Sequence, residues 1–261
     1  LISEAEENGI YVTLVTNGLP LKNRSVVRKL ARVNAFLYVS LDGARKETHE
    51  AIRGFGVWKS TLKAIENIID FGIPFATVMA VSKLNYLEVK DYVELSEQFG
   101  SSYACIIPVM PVGRASKNSI AINAREYTKA LKLAESAMIE FGFPVSVWCT
   151  PFANIISKKF KTRPCRNWNV IDISVSGKIL LCDILNIEIS NIHGKTLKQA
   201  WNEAEKHPLS KTITKPKLKQ PCTNCKLKNK CLGGCYARAY LKYGSLNMPD
   251  PLCPRTMPKQ A

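Results

Sequence analysis

The sequence has no apolar run near the roughly 20 residues that a membrane-spanning helix needs. Its longest runs, such as Phe75–Val81, stop far short, which excludes a helical membrane protein. Carboxylates are scarce, with 21 Asp and Glu against 37 Lys and Arg, a net charge of +16. That balance fits a lysine-coated solvated surface or an anionic partner such as an acidic peptide or nucleic acid. No basic stripe is interleaved with aromatics and no nucleic-acid motif is present, so nucleic acid is the less expected partner. An even cysteine count is missing too: there are nine, which argues against a disulfide framework. An initiator Met is also absent. The opening LISEAEENGIYVTLVTNG reads as the end of an amphipathic helix followed by a strand, so a fold that begins upstream of residue 1 is expected.

What is present reads as an ordinary globular chain: 261 residues, 46% hydrophobic and 22% charged, enough for a sizeable core. Apolar runs at Ile10–Val15, Phe36–Leu41, Phe75–Val81, Ala104–Val109 and Val145–Cys149 predict strands. Helical spacing predicts helices over Arg24–Arg32, Val57–Phe71, Tyr86–Phe99 and Glu126–Phe141. That alternation is the period of an α/β fold with parallel strands and crossover helices. After Thr150 segments shorten and cysteine and lysine rise; Ser176-Gly177 between two short runs predicts a hairpin. The expected division is therefore 1–150 and 151–261.

The cysteines carry the chemistry. Cys105 and Cys149 sit in apolar contexts, CIIPV and VSVWC, and read as small buried hydrophobes. The other seven are patterned: Cys165, eleven residues, Gly177, four residues, Cys182; then Cys222-x2-Cys225-x5-Cys231-x3-Cys235; then Cys253. A disulfide staple, a zinc knuckle and an iron–sulfur site are the three candidate readings. Seven thiols exceed a single four-ligand zinc site by three and suit one four-thiolate site plus one of three. Lys206 to Lys230 contains eight lysines and no carboxylate, which suits the negative charge of a thiolate-bound cluster. Iron–sulfur is therefore favoured. A zinc-stabilised basic module binding nucleic acid, and a non-catalytic iron–sulfur electron carrier or binding protein, remain the alternatives. In the first half, Asn17, Ser40 and Asp42 follow apolar strands, where parallel sheets bind ligands at their carboxyl ends. As isolated residues they read equally as turn-formers and caps.

Together, TNG at 16–18, SLDGARKETHEAIRG at 40–54, VGRA at 112–115 and the seven-cysteine pattern resemble radical S-adenosylmethionine enzymes with a SPASM extension. The resemblance implies a partial (β/α)6 TIM-like barrel over 1–150, incomplete at its N-terminus, followed by a small cysteine-rich iron–sulfur domain over 151–261. It implies two auxiliary 4Fe–4S clusters: Cys222, Cys225, Cys231 and Cys253 for the distal one, Cys165, Cys182 and Cys235 for the proximal one, whose fourth position is left open. It implies that Ser40 and Arg53 hold S-adenosylmethionine with Asn17 and Asp42 as pocket neighbours. Asp183 falls where the family places a proton-accepting aspartate; it reads equally as a turn carboxylate. The family's CxxxCxxC motif and GGE-type segment are absent from these residues, so the third, S-adenosylmethionine-binding cluster is expected upstream of residue 1. The implied activity is a radical oxidoreductase or maturase that uses a 5′-deoxyadenosyl radical on a peptide, protein or small cofactor precursor. A ferredoxin- or flavodoxin-type electron donor and a reducing cytoplasm are the expected setting.

Overall fold

A computed structural model of the chain describes residues 1–258. The chain divides into two compact units: Leu1–Val109 with Lys129–Trp148, and Met110–Thr128 with the residues from Cys149 onward.

The first unit runs α1 (Ile2–Glu7), β1 (Val12–Thr16), α2 (Arg24–Leu30), β2 (Ala35–Ser40), α3 (Lys46–Arg53), α4 (Val57–Asp70), β3 (Phe75–Val81), α5 (Val89–Gln98) and β4 (Ala104–Pro108). After α6 (Gly113–Lys117), α7 (Ala124–Glu140) leads into β5 (Val145–Val147). The five strands lie in sequence order, β1-β2-β3-β4-β5, and every neighbouring pair is parallel. This is the α/β sheet that the periodicity predicts. Central β3 is buried at six of its seven positions, as a parallel strand covered on both faces should be.

One face of the sheet is sealed by α4. Its buried Thr61, Ala64, Ile65 and Ile68 follow the i, i+3, i+4, i+7 spacing of a helical stripe. They pack with Leu37 and Val39 of β2 and Phe75 of β3. Ile65 and Ile68 each contribute on the order of 1.5–3 kcal/mol by full burial. Buried Asn67 on this helix is satisfied: its Nδ2 donates to the Leu21 and Lys22 carbonyls, both at 3.0 Å. The opposite face carries Phe36, Tyr38, Tyr103, Ile107 and Trp148 around Ala76, Val78 and Cys105. Cys105 is a buried packing residue, and burial pushes its thiol up to about 12.

Several boundaries differ from expectation. β1 starts at Val12 because Ile10 and Tyr11 stay exposed. The segment expected as one helix over Tyr86–Phe99 opens as a 3-10 turn, Tyr86–Glu88, before α5. β5 ends at Val147, and Cys149 takes a left-handed φ of 51°, which ends extended structure there.

The second unit contains a three-stranded antiparallel sheet, β6 (Asp172–Ile173), β7 (Lys178–Leu180) and β8 (Glu188–Asn191), with the expected turn at Ser176-Gly177 between β6 and β7. Four helices follow: α8 (Leu197–Lys206), α9 (Pro208–Thr214), α10 (Lys228–Cys231) and α11 (Tyr236–Tyr243). α8 opens on a capping box of Thr196 and Gln199. Its buried Ala200 and Ala204 join Ile179, Leu181, Ile189, Ile213 and Tyr236 in one core. Among the described residues no helix is long and apolar enough to cross a membrane.

Candidate functional site

In the first unit the SLDG segment and α3 form one interlocked element. Asp42, just past β2, is fully buried, and both carboxylate oxygens are engaged. Oδ1 accepts from the Ala80 amide at 2.7 Å, and Oδ2 accepts from Arg53 Nε. The Asp42 amide donates to His49 Nδ1 at 3.1 Å. His49 and Arg53 lie four residues apart, so both reach back from one face of α3 to the same loop. Gly43 makes that approach possible, since a Cβ there would stand 2.7 Å from the His49 amide nitrogen. Burial lowers the His49 pKa from its usual value, partly countered by Asp42. Asp42 is buried and holds the Arg53 guanidinium from behind.

Ser40 and Asn17 occupy neighbouring strand ends. The β1–β2 register pairs Val15 with Tyr38 and Thr16 with Val39, so Asn17 falls one step on, level with Ser40. Ser40 shares its sheet face with Phe36 and Tyr38, is 7% exposed, and ends its strand. Asn17 is exposed and its Oδ1 accepts from the Leu19 amide at 3.1 Å, the turn role that its residue type suggests.

In the second unit all seven patterned cysteines are unpaired thiols, and they fall into two cavities. One is lined by Cys222, Cys225, Cys231 and Cys253 with Pro221, Gly233, Gly234 and Phe152. The other is lined by Cys165, Cys182 and Cys235 with Asp183, Trp168 and Tyr236. A fourth thiol lines the second cavity: Cys149, which the sequence presents as a buried hydrophobe. The neighbouring Cys165 thiol and burial raise the Cys149 pKa, while interaction with Cys149 lowers Cys165 to about 7. The second cavity is the larger, about 190 Å³ against about 20 Å³.

A buried ion pair ties the two sets together. Arg238 Nη2 donates to Asp250 Oδ2 at 2.6 Å, and neither side chain is more than 2% exposed. The same guanidinium donates to the Cys149 carbonyl, while Asp250 Oδ2 accepts from the Cys235 amide at 2.8 Å. Asp250 is therefore held by Arg238 and by Cys235 of the larger cavity, and lies three residues before Cys253 of the smaller. Gly234 is what lets it in: a Cβ there would sit 2.3 Å from Asp250 Cβ, at a φ of +85°. This gives the paired glycines of CLGGC their reason.

The donor sets are all soft thiols, which suits iron–sulfur chemistry. Trp168 Nε1, in a residue that lines the larger cavity, is a buried donor with no partner among the described residues. Also among the described residues, no three His, Cys, Asp or Glu converge closely enough to hold a single metal ion. Sulfurs that hold a cluster of several irons stand further apart than the ligands of one ion, so the residues present fit clusters. Asp183 lies at the larger cavity, exposed, with Oδ1 accepting from the Ile184 amide at 2.8 Å and the Cys182 thiol at 3.4 Å.

Residues 1–96, which hold the SLDG–α3 element, match the model of the radical SAM superfamily. The AdoMet-dependent heme synthase of Methanosarcina barkeri is 28% identical over 264 residues, covering 94% of this chain and 74% of that protein. The PqqA peptide cyclase of Granulibacter bethesdensis is 25% identical over 264 residues, 97% of this chain and 69% of its own length. The fold is that of anSMEcpe, solved with bound AdoMet and the Kp18Cys peptide: the TM-score is 0.71 at 20% identity, over 94% of this chain and 71% of that one. These radical SAM relatives are enzymes, and among them are proteins named for peptide modification and cofactor assembly. The five parallel strands are part of the fold shared with that structure.

Proposed function

We propose that this protein is a radical SAM maturase with a SPASM-type auxiliary domain, acting on a peptide, a protein or a small cofactor precursor. The observation that carries it is the division of the patterned thiols into two cavities, four in one and three in the other, joined in the larger by Cys149. In this reading 1–150 is the barrel part and 151–261 the auxiliary part. Cys222, Cys225, Cys231 and Cys253 hold the distal 4Fe–4S cluster, and Cys165, Cys182 and Cys235 the proximal one. Cys149 supplies the proximal site's fourth thiolate, so the position expected to be open is filled. A cluster saturated by four thiolates has no vacant iron for substrate, which favours electron acceptance over substrate ligation.

S-adenosylmethionine binds at the carboxyl ends of β1 and β2, where Ser40 and Arg53 hold it and Asp42 fixes the guanidinium; Asn17 stands beside Ser40. When bound, S-adenosylmethionine and the clusters would supply radical and one-electron chemistry. Asp183 takes the proton that the oxidised substrate loses. The names heme synthase and peptide cyclase among the relatives support a cofactor precursor and a peptide as the two substrate classes. A ferredoxin- or flavodoxin-type protein serves as electron donor.

The test is the iron and acid-labile sulfide content of anaerobically purified protein. About eight of each per chain is expected, with broad visible absorption. Zinc without sulfide would overturn the cluster reading and favour a zinc-stabilised module. Cys149→Ser should leave the distal cluster intact and change the electron paramagnetic resonance signal of the proximal one. An unchanged proximal signal would exclude Cys149 as a ligand.

A further inference from the structure

Arg166 follows Cys165 directly, in a short 3-10 turn over Cys165–Asn167, and is 1% exposed. A guanidinium so deeply buried normally meets a carboxylate, because an unpaired charge in low dielectric is strongly disfavoured. Here the partners are neutral. Nη1 donates to the Ile213 carbonyl at 3.3 Å and Nη2 to the Leu246 carbonyl at 2.7 Å. The guanidinium carbon stands 5.2 Å from the centre of the Tyr236 ring. Nε has no partner, and no carboxylate lies within ion-pair distance, among the described residues. The buried carboxylate of this unit, Asp250, is already taken by Arg238. Tyr236, whose ring faces the guanidinium, and Cys165, the residue before Arg166, both line the larger cysteine cavity.

A buried cation that follows Cys165, bonds the Ile213 carbonyl and faces Tyr236, all three lining the larger cavity, calls for negative charge in that cavity. We propose that Arg166 is the counter-cation of the cluster held at the larger cavity and raises its reduction potential. This rests on the cluster reading above. Reduction of a 4Fe–4S cluster adds one electron and one negative charge. A fixed positive charge nearby stabilises the reduced form more than the oxidised one, most strongly where water is excluded. Arg166 acts through that cluster and is a positioning residue for charge.

The experiment is a redox titration of the anaerobic holoprotein, followed by electron paramagnetic resonance, for wild type, Arg166→Gln and Arg166→Lys. Arg166→Gln should shift the midpoint potential of the proximal cluster to more negative values, and Arg166→Lys should stay near wild type. Potentials unchanged in Arg166→Gln would overturn the proposal while leaving the cluster reading intact. If Arg166→Gln loses iron and Arg166→Lys keeps it, the positive charge is what holds the cluster, as proposed. Equal iron loss in both variants would overturn it in favour of a purely structural bridge between the two carbonyls. Wild type without iron and sulfide would sink the cluster reading itself.

Discussion

At the scale of single residues, the strictest steric demand falls on Gly234. An added methyl would have to displace Asp250 Cβ from 2.3 Å, at a backbone φ that side chains rarely adopt. Gly234→Ala should destabilise the second unit by on the order of 2–4 kcal/mol and lower its iron content. Gly233→Ala should cost less, since its methyl would meet the movable end of Leu218 at 2.9 Å. Denaturant unfolding checks the pair; equal losses would mean that Asp250 does not set the constraint. Asp183 makes a different demand. As a proton acceptor it should matter to turnover and not to folding, so Asp183→Asn should reduce product formation by about 10²–10⁴-fold. S-adenosylmethionine cleavage should persist in that variant. Wild-type product formation would leave Asp183 as a turn residue only.

At the scale of elements, the SLDG loop and α3 behave as one lock whose key is neutral His49. Burial lowers the pKa of this imidazole below its usual 6.5, so the unfolded chain takes up the proton first as pH falls. The His49 contribution to stability is therefore present above about pH 6.5 and is lost as pH falls through that value towards the folded pKa. Stability should fall by up to about 1.4 kcal/mol per pH unit in that window from this one group. His49→Gln should flatten that slope; identical slopes would show that other groups govern it. The spacing of the SLDG segment to His and Arg is plain in the sequence because α3 brings every fourth residue to one face. Which residue faces ligand is not. Nothing in the spacing says that Asp42 is 0% exposed and that Arg53 reaches outward from it. The strands were legible from apolar runs, and their ends were not, because Cys149 leaves β5 through a left-handed φ that no propensity announces.

At the scale of the whole molecule, the second unit has only short strands of two to four residues and leans on its cysteine cavities. The first has a continuous apolar sheet core. A group bound only by the folded state stabilises the unit that holds it. Removing iron with a chelator should therefore raise amide hydrogen exchange around α10 and α11, while amides of β2, β3 and β4 keep their protection. Equal loosening of both units would show that the clusters support the entire chain.

The sequence by itself determined the alternation of strand and helix, the parallel sheet class, the likeness of the SLDG segment to its family, and the grouping of seven cysteines. These are properties of spacing along the chain, and spacing is set by covalent geometry and by the period of each element. Tertiary structure alone decided the rest. Cys149 joins Cys165, Cys182 and Cys235 across 86 residues of chain, and its apolar neighbours VSVW conceal it. Arg166 lies buried without a carboxylate partner among the described residues, while Asp250, 84 residues on, pairs with Arg238. Convergence and the lack of a partner are relations among distant residues under exclusion of water, and no local pattern records them.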